Sequence, residues 1–107
     1  MKRGDIVSCV LAGDYGKPRP AVIVQSDLFN PTHASVVVCP VTSHIVNAPL
    51  FRIDLPCHSK TGLEKASQVM VDKLTAVRSD RIKNCIGALN IKQRKELDKA
   101  VKLWLGL

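Results

Sequence analysis

The chain has 107 residues, of which 46% are apolar and 23% charged, enough for one domain spanning residues 1–107 with a core of its own. No run approaches the roughly 18 consecutive apolar residues of a membrane span, and Met1-Lys2-Arg3-Gly4-Asp5 reaches a charged turn before any apolar export segment, so a cytoplasmic protein is expected. Sixteen Lys and Arg against nine Asp and Glu give +7, the balance of a protein that meets polyanions, although Lys92, Arg94, Lys95, Lys99 and Lys102 equally fit a solvated helix face.

In chain order, Ile6–Leu11 is rich in β-branched and apolar residues and reads as a strand. The turn formers Ala12 to Pro18 follow it. Ala21–Gln25 is a second strand, with Pro20 at its first position, where no ladder donor is needed, and Arg19 at the loop-to-strand junction. After the turn Asn30-Pro31-Thr32-His33, the continuous apolar run Ser35–Thr42 predicts a strand buried on both faces. Pro40 implies a bulge or an edge near its end, and Thr42, Ser43 and His44 emerge there. Phe51–Leu55 alternates apolar and charged residues as a strand with one wet face does. Beyond the polar loop His58–Gly62, Gln68–Asp72 is a further strand. Ser79–Ile82 reads as a capped helical turn and Cys85–Leu89 as a short strand. Asn90 with Gln93 three positions on has the form of a capping box, after which Leu97, Ala100, Val101 and Trp104 recur at helical spacing. The stripe is a core or dimer contact. Several short strands closed by one helix predict a mainly β, α+β fold: a small, strongly bent barrel with the helix alongside.

Most local motifs lead nowhere. Gly16-Lys17 is followed by Pro18 and by no helix, so it is not a phosphate-binding loop, and Pro31 excludes glycosylation at Asn30. Cys9, Cys39, Cys57 and Cys85 are scattered and are expected to be reduced core residues; Cys57-His58 has no second pair with which to hold a metal. His33 and His58 fall in turn-rich loops, which leaves His44, two residues from Thr42, as the histidine of interest.

Four segments taken together carry a resemblance. Lys2-Arg3-Gly4-Asp5-Ile6-Val7, Arg19-Pro20-Ala21-Val22-Ile23-Val24-Gln25, Cys39-Pro40-Val41-Thr42-Ser43-His44-Ile45 and the stretch from Gly62 to Val77 resemble, in order and spacing, the PemK/MazF family of toxin endoribonucleases. The resemblance implies an SH3-like barrel of the CcdB/PemK kind with a C-terminal helix. It further implies a homodimer, sequence-specific cleavage of single-stranded RNA without a metal or other cofactor, and inhibition by a cognate antitoxin. The family's catalytic pair maps onto Arg19 and Thr42, and Lys17, Gln25, Ser43, His44 and Ser67 are expected to contact the substrate. The chain departs from the family at the Gly13–Pro18 loop, which is shorter and lacks the usual glutamate and glutamine. Met70 stands where some members have arginine, which leaves Asp72 only a weak candidate.

The implied chemistry suits these residues. RNA carries its own nucleophile, the 2′-OH, so an enzyme need only remove that proton, stabilise the crowded phosphorane and protonate the leaving oxygen, giving a 2′,3′-cyclic phosphate and a 5′-OH. Arginine's planar fork matches phosphate oxygens, and a single such donor is worth about 3–4 kcal/mol in a transition state. The general base is not assigned. Arg19 without this pattern would read as the partner of a carboxylate such as Asp5 or Asp54, and Thr42 as a residue satisfying a turn. Two other readings stay open: a CcdB-like protein that poisons DNA gyrase and cuts nothing, and a nucleic-acid-binding regulator. The low aromatic content, 4%, gives little material for a base-stacking platform.

Overall fold

The computed structural model describes residues 1–107. Seven strands precede one helix: β1 (Asp5–Val10), β2 (Pro18–Ile23), β3 (Ser35–Thr42), β4 (Arg52–Leu55), β5 (Ser67–Met70), β6 (Thr75–Arg78), β7 (Ile82–Ala88) and α1 (Ile91–Leu105). Every strand pairing is antiparallel, and the order is β4-β5-β3-β2-β1-β7, with β6 also on β3.

β3 organises the sheet. Along one edge it pairs with β2; along the other it meets β6 from Ser35 to Val38 and then β5 from Val41. Pro40 falls in the gap between those two partners, where its missing amide hydrogen costs no ladder bond. The expected bulge or edge is therefore a change of partner. β6 and β7 lie at opposite ends of the run β6-β3-β2-β1-β7, yet only the 3-10 turn Ser79–Arg81 joins them. A join so short requires the sheet to curl until its edges approach. Register shifts in β7 opposite Ile6/Val7 and Ser8/Cys9 supply extra twist. The result is barrel-like, as expected from the sequence.

Alternation along the strands gives two cores. Val7, Cys9, Ala21, Ile23, Val36 and Val38 fill the inside of the curl. Ile6, Val22 and Cys39 face the other way and meet Ile53, Leu55 and Val69 of β4 and β5, with Leu97 and Ala100 of the helix. Asn90 starts that helix with both bonds of the capping box at 2.8 Å, and Gly106 ends it in the left-handed conformation. The opening Lys2-Arg3-Gly4-Asp5 is a clip: Arg3 donates from its backbone to Asp27 (2.6 Å) and from Nε to the Val24 carbonyl (3.0 Å), and its guanidinium reaches Asp98 of α1 at 2.6 Å. The amide of Arg3, and then Asn30, hold the Asp27 carboxyl below its ordinary 3.8.

Several expectations shift. β2 begins at Pro18, so Arg19 is its second residue and stands opposite Cys9 of β1. β5 stops at Met70 because the chain tightens into a 3-10 turn, Val71–Lys73. β6 was not expected as a separate strand. Cys9 and Cys39 are buried, and burial pushes the Cys39 thiol up to about 12, but Cys57 and Cys85 are exposed rather than core. Cys85 lies on the outer strand β7, where no neighbouring layer covers it. Trp104 also leaves the core. It is half exposed and tilts against Phe51 at 5.5 Å, because α1 runs past the sheet that covers Leu97. No helix is long and apolar enough to cross a membrane.

Candidate active site

At the open end of the curl, β2 starts and β3 stops, and their polar ends line one groove of about 940 Å³. The register explains the convergence. Ala21 opposes Pro40, so Arg19 and Thr42, each two residues further toward the opening, continue the same face of neighbouring strands. Both line the groove, with Ser43 and Ser67. Arg19 is exposed, whereas Thr42 is only partly so.

Neither group is consumed by the fold. Arg19 approaches Asp14 through Nε at 3.8 Å, with its side chain 48% exposed, a separation at which an ion pair contributes little. Its terminal nitrogens make no bond within the protein. Thr42 Oγ1 accepts the His44 amide at 3.1 Å, the local turn bond that threonine commonly makes. The hydroxyl hydrogen is still available to a phosphate oxygen.

The other expected contact residues divide. Ser67 is buried and donates to the Lys65 carbonyl at 2.8 Å. His44 and Lys17 are exposed but do not line the groove; the Lys17 amide closes a turn onto the Asp14 carbonyl at 2.9 Å. Gln25 is a correction. Its side-chain amide donates to the Ser35 carbonyl and accepts the Val37 amide, both at 3.2 Å, so it splints the start of β3 far from the opening. Asp72 faces Arg52 at 3.6 Å, with side chains only 17% and 13% exposed, and belongs to the packed side of the molecule.

Sequence reasoning missed four charged residues of the groove. Asp14 comes from the β1–β2 loop, Glu64 and Lys65 from the loop before β5, and Lys73 from the turn after it. Asp14 lies five positions before Arg19, a spacing that becomes informative only once the loop is seen to fold back on the strand. The loop carrying Glu64 is braced on β7. Gly62 has φ +70°, and a Cβ there would fall 2.0 Å from the Ile86 carbonyl oxygen; a Cβ on Gly87 would fall 2.3 Å from the backbone of Thr61. The Ala88 amide bonds the Lys60 carbonyl at 2.9 Å across the same crossing. Nowhere do three or more His, Cys, Asp or Glu side chains gather as metal ligands would.

The chain matches, over residues 2–105, the family model described as PemK-like, MazF-like toxin of type II toxin-antitoxin system. It is 40% identical over 108 residues to a probable endoribonuclease MazF of Mycolicibacterium smegmatis, covering 100% of this chain and 98% of that protein. It is 31% identical over 116 residues to the endoribonuclease MazF of Staphylococcus saprophyticus, covering 100% and 92%. Among solved structures, an endoribonuclease in complex with its cognate antitoxin, from a mycobacterial species, superposes with a TM-score of 0.82 at 20% identity, covering 100% of this chain and 96% of that one.

Proposed function

This chain belongs to the PemK-like, MazF-like toxins of type II toxin-antitoxin systems, and on that premise we propose that its groove cleaves single-stranded RNA through Arg19 and Thr42. The observation that carries the reading is their placement: the unspent guanidinium fork and hydroxyl sit on rigid strand ends and line one groove. Arg19 binds the non-bridging oxygens of the scissile phosphate and stabilises the charge that grows on them in the phosphorane. Thr42 donates its hydroxyl hydrogen to the same group and fixes its position. Asp14, which lines the groove beside Arg19, takes the proton of the reacting 2′-OH. The 2′-oxygen then attacks phosphorus, the bond to the 5′-oxygen breaks, that oxygen takes a proton from water in the open groove, and the products are a 2′,3′-cyclic phosphate and a 5′-OH.

The toxin acts in the cytoplasm, where it stops translation by cutting messenger RNA. It works as a homodimer, for which the apolar end of α1 (Leu103, Trp104, Leu105) and the following Leu107 supply exposed surface. Its antitoxin is an acidic segment that orders against this +7 protein and excludes RNA. The test is incubation of purified protein with a long RNA in chelator, followed by analysis of the ends. Discrete cuts with cyclic-phosphate and 5′-OH ends are expected. Intact RNA together with loss of gyrase supercoiling activity would replace this reading with gyrase poisoning.

A further inference from the structure

The groove proposed to hold a polyanion contains a carboxylate with no partner. Of the acidic side chains that line it, Asp14 stands beside Arg19, whereas Glu64 is exposed and forms no ion pair or side-chain hydrogen bond. A free carboxylate beside RNA repels every phosphate that approaches, so its only favourable partner on the substrate is a hydrogen-bond donor. Phosphates and base carbonyls have none, and the ribose 2′-OH, which has one, is the same on every nucleotide, so only a donor on a base carries sequence information. In single-stranded RNA the Watson–Crick edges are open, and adenine, cytosine and guanine present exocyclic amines there, whereas uracil presents carbonyls around a single ring N–H.

The backbone of Glu64 is fixed in a way that suits reading a base. Leu63 beside it is buried in the core, and the Cys57 thiol donates to the carbonyls of both Leu63 and Glu64 at 3.3 Å. Three residues further on, Ser67 ties down the Lys65 carbonyl. Behind these lies the Gly62–Gly87 crossing, where the loop and β7 touch through bare backbone. The backbone that carries this carboxylate needs no ordering when RNA binds, which leaves only the side-chain rotamers to be fixed.

We infer that Glu64 is a specificity residue of the groove, accepting a hydrogen bond from an amine-bearing base near the cut and discriminating against uracil at that position. The inference rests on the ribonuclease reading above. The test compares wild type, Glu64→Gln and Glu64→Ala on a long RNA with mapped ends, and then on short RNAs that differ only at the affected nucleotide. Glu64 is exposed, so thermal melts are expected to coincide. In Glu64→Ala the preference for an amine-bearing base over uracil in kcat/KM falls about tenfold. Glu64→Gln, which both donates and accepts, relaxes the preference toward uracil. An unchanged cut-site pattern in Glu64→Ala overturns the inference and leaves the ribonuclease reading standing. No cleavage by wild type overturns both.

Discussion

The two ends of this small barrel hold their charges differently. On the helix-covered side, Arg52 and Asp72 are enclosed at 3.6 Å and Leu97 is fully buried. At the open side, Arg19 stands 48% exposed beside Asp14, and Thr42 emerges from the last rung of β3. The contrast separates two tasks. Enclosed groups determine whether the chain folds, because removing them leaves cavities or unpaired charge. Groove groups are held by their strands but bonded to little else, so removing them should subtract chemistry and leave the fold.

The largest expected effect lies on the open side. Arg19→Ala should lower RNA cleavage about 100- to 1,000-fold, and Arg19→Lys should restore little of it, since a point charge lacks the fork; both should melt within about a degree or two of wild type, as surface changes do. A gel assay beside a thermal melt checks this, and a collapsed melting temperature would break the division between the two ends. Leu97→Ala should do the reverse, costing about 2–5 kcal/mol in denaturant unfolding while the protein that remains folded cleaves at the wild-type rate. A smaller change is expected at Thr42, where the alanine variant should lose about tenfold in kcat and the serine variant less, because serine keeps the hydroxyl.

The smallest expected effect is a difference in labelling. In the native protein Cys57 and Cys85 should react with a thiol reagent near pH 8, while Cys9 and Cys39 stay protected, burial having raised both buried thiols and taken Cys39 to about 12. Peptide mapping after labelling checks it. Four fast-reacting thiols would mean that the enclosed core opens as readily as the groove.

Local rules made much of this legible. The Asn90–Gln93 capping box, the apolar, β-branched runs of β1 to β3 and the placing of Arg19 and Thr42 at strand ends each depend on residues close in sequence. β6 escaped notice because Thr75–Arg78 is a short, mostly exposed segment between two 3-10 turns, and it becomes a strand only because β3 offers it a free edge. Glu64, Lys65 and Lys73 enter the groove for an equally nonlocal reason: the loop and turn flanking β5 are brought there by pairing and by the glycine crossing. Gln25 misled because an amide at the end of a strand looks available until its backbone partners are seen.

A groove that uses the substrate's own 2′-OH under the hold of Arg19 and Thr42 is helpless against a strand that lacks that one hydroxyl. The decisive comparison is between a short RNA containing a mapped cut site and its twin with a single 2′-deoxynucleotide immediately 5′ of the scissile phosphate. The all-ribose strand should be cut to a 2′,3′-cyclic phosphate and a 5′-OH while the deoxy twin binds with similar affinity and stays intact. Cleavage of the deoxy twin at the same bond would contradict that use of the 2′-OH.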